Sequence, residues 1–169
     1  PEQEEGNDHV VIFDTQMRTG ISTDYLRWMG KYCAEKQPAV IAHIGDHADM
    51  PSLSSYDKGK RSAENKRYKA DIEAAIEGME AFLAPIRALQ ERQRAAGEPV
   101  YNPRQVLFLG NHEHRIDRYV DDHPEMHGHI GMHDLKYEEM GWEVVPFLTP
   151  MSIDGVMYCH YFQNVMTGK

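Results

Sequence analysis

Three short apolar runs in the first two thirds of the chain each finish on a polar residue able to bind a ligand. Residues 9–13 (HVVIF) lead into Asp14, residues 39–44 (AVIAHI) into Gly45-Asp46, and residues 106–109 (VLFL) into Gly110-Asn111-His112-Glu113. Continuous β-branched and apolar runs of this length predict buried strands. Between the first two, Tyr25, Leu26, Met29 and Cys33 recur every three or four positions, which predicts a helix with Thr23 as its cap. A loop, MPSLSSYDKGK at 50–60, precedes a long helical insertion over about 63–96. There Ile72, Ile76, Met79, Phe82, Leu83, Ile86 and Leu89 form one apolar stripe, and Pro85 is expected to kink or split it. Gly97 and Pro99 end that stretch. Beyond the third strand, 122–133 reads as a His-, Gly- and Pro-bearing loop, followed by a short helix near 135–140. Strands are expected near 143–147, 151–153 and 156–160. Residues 1–8 are acidic without apolar periodicity and read as a flexible lead-in, leaving one domain over 9–169. The order βαβαβ followed mostly by strands predicts an α/β layered architecture with functional residues at the carboxyl ends of its strands.

Composition narrows this picture modestly. The chain has 169 residues, 41 % of them hydrophobic, enough for one packed domain. With 27 acidic side chains against 18 Lys plus Arg, the formal charge of −9 argues against a broad, nonspecific grip on a nucleic-acid backbone. Two cysteines, Cys33 and Cys159, are too few for a disulfide framework, and no apolar run has the length of a membrane span. The expectation is a soluble, cytoplasmic protein with no membrane partner. Ten histidines, grouped near Gly and Asp, direct attention to a metal site.

Asp14, Gln16, Asp46, Asn111, His112 and His160 are the residues at or beside strand ends that can ligate a metal or donate a hydrogen bond. Carboxylate, amide oxygen and imidazole together suit a first-row divalent ion, and one Asp can bridge two ions. Two such ions clamp a phosphate and generate hydroxide for in-line attack, so the cluster points to phosphoester hydrolysis. Each residue also has a plainer use. Asp14 and Asp46 could be turn or cap residues, the Asn111 turn could be left-handed, and His160 could be a satisfied core histidine. Three strands terminating in ligand-type residues are hard to obtain from turn chemistry alone.

The motif order resembles that of the calcineurin-like metallophosphoesterase family, which carries D-x-H, G-D, G-N-H-[DE], a lone His and G-H-x-H at the strand ends of an αββα sandwich. The matching residues are Asp14-Thr15-Gln16, Gly45-Asp46, Gly110-Asn111-His112-Glu113 and His160, spanning 9 to about 162. The resemblance implies two divalent metal ions, with Asp14 and Gln16 at the first, Asp46 bridging, and Asn111 and His160 at the second. It implies that His112 stabilises the transition state or protonates the leaving alkoxide, with Glu113 or Asp49 orienting these groups. Gln16 replaces the family's usual histidine with an amide oxygen, as in prophage-type members. This harder site predicts Mn2+ first, with Mg2+, Fe or Zn2+ as alternatives. The chain ends at Lys169, nine residues after His160, without a G-H-x-H. By the resemblance it is expected to be truncated at the C-terminus, short of ligands and of sandwich. His123, His127, His129 and His133 are candidate substitute ligands or a separate structural zinc site.

Lys58, Lys60, Arg61, Lys66, Arg67 and Lys69 lie just beyond Asp46 and suit either a basic lip for phosphate or a solvated helix face paired with Glu64, Asp71 and Glu73. The expected function is a metal-dependent phosphoesterase acting on a phosphodiester or nucleic-acid substrate, with a homo-oligomer as a further expectation. The competing expectation is a catalytically weak metal-binding or nucleic-acid-interaction module that retains the fold.

Overall fold

The computed structural model describes residues 7–54 and 66–163. Most of the expected lead-in, the second half of the loop expected at 50–60 and the basic residues Lys58, Lys60 and Arg61 lie outside that range.

Four strands, β1 (His9–Ile12), β2 (Val40–His43), β3 (Arg104–Phe108) and β4 (Glu143–Val145), form one parallel sheet in the order β1-β2-β3-β4. Val10 pairs with Ile41, Ile41 with Gln105, and Val106 with Glu143, so the carboxyl ends of β1, β2 and β3 come into line. β2 is buried at every position because both faces of the sheet are covered, which is why its sequence is apolar without alternation. On one face, Ile12, Ile41 and Leu107 meet helices α1 (Asp24–Lys36) and α2 (Tyr68–Ala96) through Leu26, Cys33, Met79, Phe82 and Ile86. On the other, Val40, Val106, Phe108 and Val145 pack against Ile153 and Tyr158 of the antiparallel hairpin β5 (Met151–Ile153) and β6 (Val156–Tyr158). The protein is therefore a mixed α/β structure layered as helices, parallel sheet and hairpin. Among the described residues no further helix covers the hairpin, where Val156 and Met157 are exposed.

Several sequence expectations require correction. Of the kink or split expected at Pro85, α2 shows no split; its burying face continues on both sides from Ile72 to Ile86. Thr23 occupies the cap position of α1 but its side chain makes no capping hydrogen bond; Ser22 Oγ accepts from the Asp24 N–H at 3.2 Å instead. The helix expected near 135–140 is a 3-10 turn at Met132–Leu135 followed by further turns. The strands at both ends of the site are shorter than expected, because the chain leaves each ladder to form the polar loops. A helix absent from the sequence expectations, α3 (Arg115–Asp122), follows the G-N-H-E segment and buries Ile116.

Candidate functional site

The loops after β1 and β2 are laced together by backbone hydrogen bonds. Asp14 N–H donates to the Gly45 carbonyl at 3.2 Å, Gln16 N–H to the Asp46 carbonyl at 2.9 Å, and Met17 N–H to the His47 carbonyl at 2.6 Å. Asp14, Gln16 and Asp46 all sit in the left-handed region, with φ of 48°, 42° and 54°. Such conformations cost about 1–2 kcal/mol each for non-glycine residues and persist where surrounding contacts over-determine them. Asn111 lies in a turn over 111–114, as that reading has it, but is not among the left-handed residues.

Glycine permits the convergence of the loops. A Cβ on Gly110 would lie 2.0 Å from Asp46 Oδ1, and one on Gly45, itself at φ 101°, would lie 2.6 Å from His160 Nδ1. The G-D and G-N-H-E glycines are thus places where a backbone passes directly beside a ligand-type side chain.

Glu113 supports the same convergence from below. Fully buried, its carboxylate accepts from the N–H groups of Asp46 (3.1 Å), Gly110 (2.9 Å) and Ala48 (2.8 Å). Burial raises its pKa, against the lowering effect of these backbone donors. The side chain therefore acts as an anionic peg holding two strand-end loops in one register.

Above it, one ligand atom each from Asp14, Asp46 and His160 lies within 4.8 Å of the others. His160 Nδ1–H donates to the Ile44 carbonyl at 2.7 Å, so in the neutral ring the lone pair sits on Nε2. That nitrogen faces oxygens: Asn111 Oδ1 at 3.0 Å and Asp46 Oδ1 at 3.7 Å. A lone pair aimed at acceptor oxygens is poor pairing between these groups but a good donor set for a cation placed among them. The residues thus fit a divalent metal. Gln16 enters this arrangement through its backbone, and its side chain is exposed.

His112 stands beside the cluster. Its Nδ1–H donates to Asp49 Oδ1 at 2.8 Å, and Asp46 Oδ2 lies 3.7 Å from Nε2. Arg115, one helical turn onward, approaches Nε2 at 3.1 Å while its other nitrogen donates to the Asp49 carbonyl. The hydrogen bond to Asp49 raises the His112 pKa; burial and Arg115 oppose it, Asp46 adds to it, and the net shift is upward. Burial would raise Asp49, but hydrogen bonds from His112 and Arg18 outweigh it and hold the carboxyl below its ordinary range.

The loop histidines do not join the site. His123 stacks on Tyr119 with ring centroids 4.1 Å apart and donates to its carbonyl, while His127, His129 and His133 are exposed. Among the described residues the cluster of three potential metal-binding His, Cys, Asp or Glu side chains is the one at Asp14, Asp46 and His160, so neither a substitute ligand set nor a separate zinc site is present there. Sequence reading overlooked Arg115, whose spacing of three from His112 was a usable helical signal, and Thr15, His43 and His47, for which no spacing rule existed.

No protein-family model matches the chain, and no solved structure matches it. Relatives with similar sequence include the Gene 54 protein of Mycobacterium phage D29, 31 % identical over 112 residues, and the Gene 54 protein of Mycobacterium phage L5, 31 % identical over 111 residues. Each match covers 66 % of this chain and 42 % of the relative, so the chain spans less than half the length of the phage proteins it resembles. Among the described residues no helix is long and apolar enough to cross a membrane.

Proposed function

We propose that this chain is a metal-dependent phosphoesterase of the calcineurin-like metallophosphoesterase type, cleaving a phosphodiester such as a nucleic-acid linkage. The observation that carries the reading is the orientation of His160: its Nδ1–H is fixed on the Ile44 carbonyl, so Nε2 points into oxygens contributed by two separate strand ends. Asp14, Asp46, Asn111 and His160 would hold the metal, with Gln16 completing the set once its side chain turns inward. A bound pair of divalent ions supplies positive charge to the phosphate and lowers the pKa of water for attack. His112, close to Asp46 and with its Nδ1–H held by Asp49, would pass a proton from Nε2 to the departing oxygen once Arg115 no longer faces that nitrogen; the Asp49 hydrogen bond, the largest cause of its raised pKa, favours the protonated ring. Arg115 would steady the phosphate once its guanidinium left the imidazole. Mn2+ is the ion the oxygen-rich donor set favours.

The test is metal content by mass spectrometry after Mn2+ loading and desalting, together with hydrolysis of bis(p-nitrophenyl) phosphate. The expected result is close to two ions per chain, with Mn2+-dependent turnover lost in Asn111→Ala and reduced roughly 10²–10⁴-fold in His112→Ala. Tight metal binding without turnover would favour the metal-binding module instead, and no retained metal would overturn the reading.

A further inference from the structure

Thr15 stands between two candidate ligands, Asp14 and Gln16, yet its side chain turns away from solvent and meets two buried histidines. The hydrogen bonds through it have one self-consistent direction. A backbone N–H only donates, so the Gly45 N–H, 3.2 Å from His43 Nδ1, makes that nitrogen an acceptor. A carbonyl only accepts, so His47 Nε2–H donates to the Ala75 carbonyl at 2.9 Å. His43 then carries its proton on Nε2 and donates to Thr15 Oγ1 at 3.1 Å, while the Thr15 hydroxyl donates to His47 Nδ1 at 2.7 Å. The result is an uncharged chain, Gly45 to His43 to Thr15 to His47 to Ala75, in which both imidazoles are Nε2–H tautomers.

This chain runs through the three segments whose spacing defines the candidate site: the turn carrying Asp14 and Gln16, the loop carrying Asp46, and helix α2 beneath them. We propose that Thr15 is a positioning residue for that site, its hydroxyl tying the Asp14–Gln16 turn to the loop at 45–47 and so setting the separation of the Asp14 and Asp46 carboxylates. Three left-handed residues in two adjoining loops need such a constraint, because each would relax toward an ordinary conformation if its neighbours yielded. The side-chain chain fixes the turn from inside, in addition to the backbone hydrogen bonds that lace the loops. The functional consequence rests on the metal-site reading above; the tautomer assignment does not.

Two measurements test the proposal. In metal-free wild-type protein, long-range proton–nitrogen NMR spectra should show both His43 and His47 as neutral Nε2–H tautomers. Thr15→Val keeps the side-chain shape but removes the hydroxyl, and Thr15→Ser restores it. Calorimetric titration with MnCl2 should show the folded valine variant losing about tenfold or more in Mn2+ affinity, with the serine variant recovering most of it. Equal Mn2+ affinity in wild type and a folded Thr15→Val would overturn the positioning role alone. An Nδ1–H tautomer at either histidine would overturn it too, and that result is read on wild type whether or not the valine variant folds. A wild-type protein that binds no Mn2+ would overturn the metal reading and the positioning role together, while the spectra would still report the hydrogen-bond chain.

Discussion

At the scale of single residues, buried polar groups with complete partnerships hold the strand-end loops. Glu113 is the sharpest case. Glu113→Gln preserves shape but sets an amide N–H₂ against a backbone N–H, leaving a buried donor unmatched at a cost of about 1–3 kcal/mol. Urea unfolding should show the midpoint falling by that amount with an unchanged slope, and Mn2+ affinity should fall with it. His47 makes a pH prediction. Burial depresses its pKa from about 6.5 to about 4, with the hydrogen bond to Ala75 opposing. The unfolded chain therefore binds this proton at higher pH than the folded one. The stabilisation is complete above about 6.5, is lost progressively as pH falls to about 4, and amounts to roughly 3 kcal/mol over that window. His43, depressed by burial and by His47 and His160, acts in the same sense. His112 acts oppositely, since its raised pKa adds stability that fades as pH rises above 6.5 through its folded value. Urea titrations in chelator at pH 7.5, 6.0 and 4.5 should thus show a decline steeper than the carboxylates alone would give. A flat profile between 7 and 5 in a His112→Ala variant, which lacks the opposing group, would mean that the two buried histidines take up protons as readily in the folded state as in the unfolded one.

At the scale of elements, α2 carries the site from underneath. Its Ala75 carbonyl ends the Thr15 chain, and its apolar stripe covers the sheet face on which β1 and β2 terminate. Phe82, 1 % exposed, packs against Trp142 with ring centroids 6.0 Å apart. Phe82→Ala is expected to cost about 3–5 kcal/mol, read by thermal or urea unfolding. The stripe from Ile72 to Ile86 was readable directly from spacing, as were the three apolar strands. The continuity of α2 through Pro85 was not, because a local rule that breaks helices at proline cannot weigh the burial gained on either side of it. α3 escaped notice for a related reason: eight residues with one fully buried position, Ile116, give too little periodicity to register.

For the whole molecule, a metal held by residues just beyond β1, β2, β3 and β6 would couple its binding to global stability. A ligand that binds only the folded state at a hundred times its Kd adds about 2.7 kcal/mol, which in a domain of this size is roughly 5–10 °C in Tm. Differential scanning fluorimetry with and without Mn2+ should show such a rise in wild type and none in Asp46→Asn. A rise that survives Asp46→Asn would place the ion elsewhere. The hairpin that precedes His160 is held to the sheet by His9, which meets the Tyr158 hydroxyl at 2.8 Å and Asp154 at 3.0 Å, so the first strand is tied directly to the element that leads into His160. By itself the sequence determined the buried strands, the long helix and the residue types at the strand ends, because hydrophobic period and turn chemistry act over a few neighbouring positions. It could not determine that Asp14, Asp46, Asn111 and His160 meet, that Glu113 pegs two loops at once, or that Thr15 joins two histidines 28 and 32 positions away. Those are contacts between distant segments. They exist because parallel register aligns three strand ends and because two glycines let the loops close to within hydrogen-bonding distance.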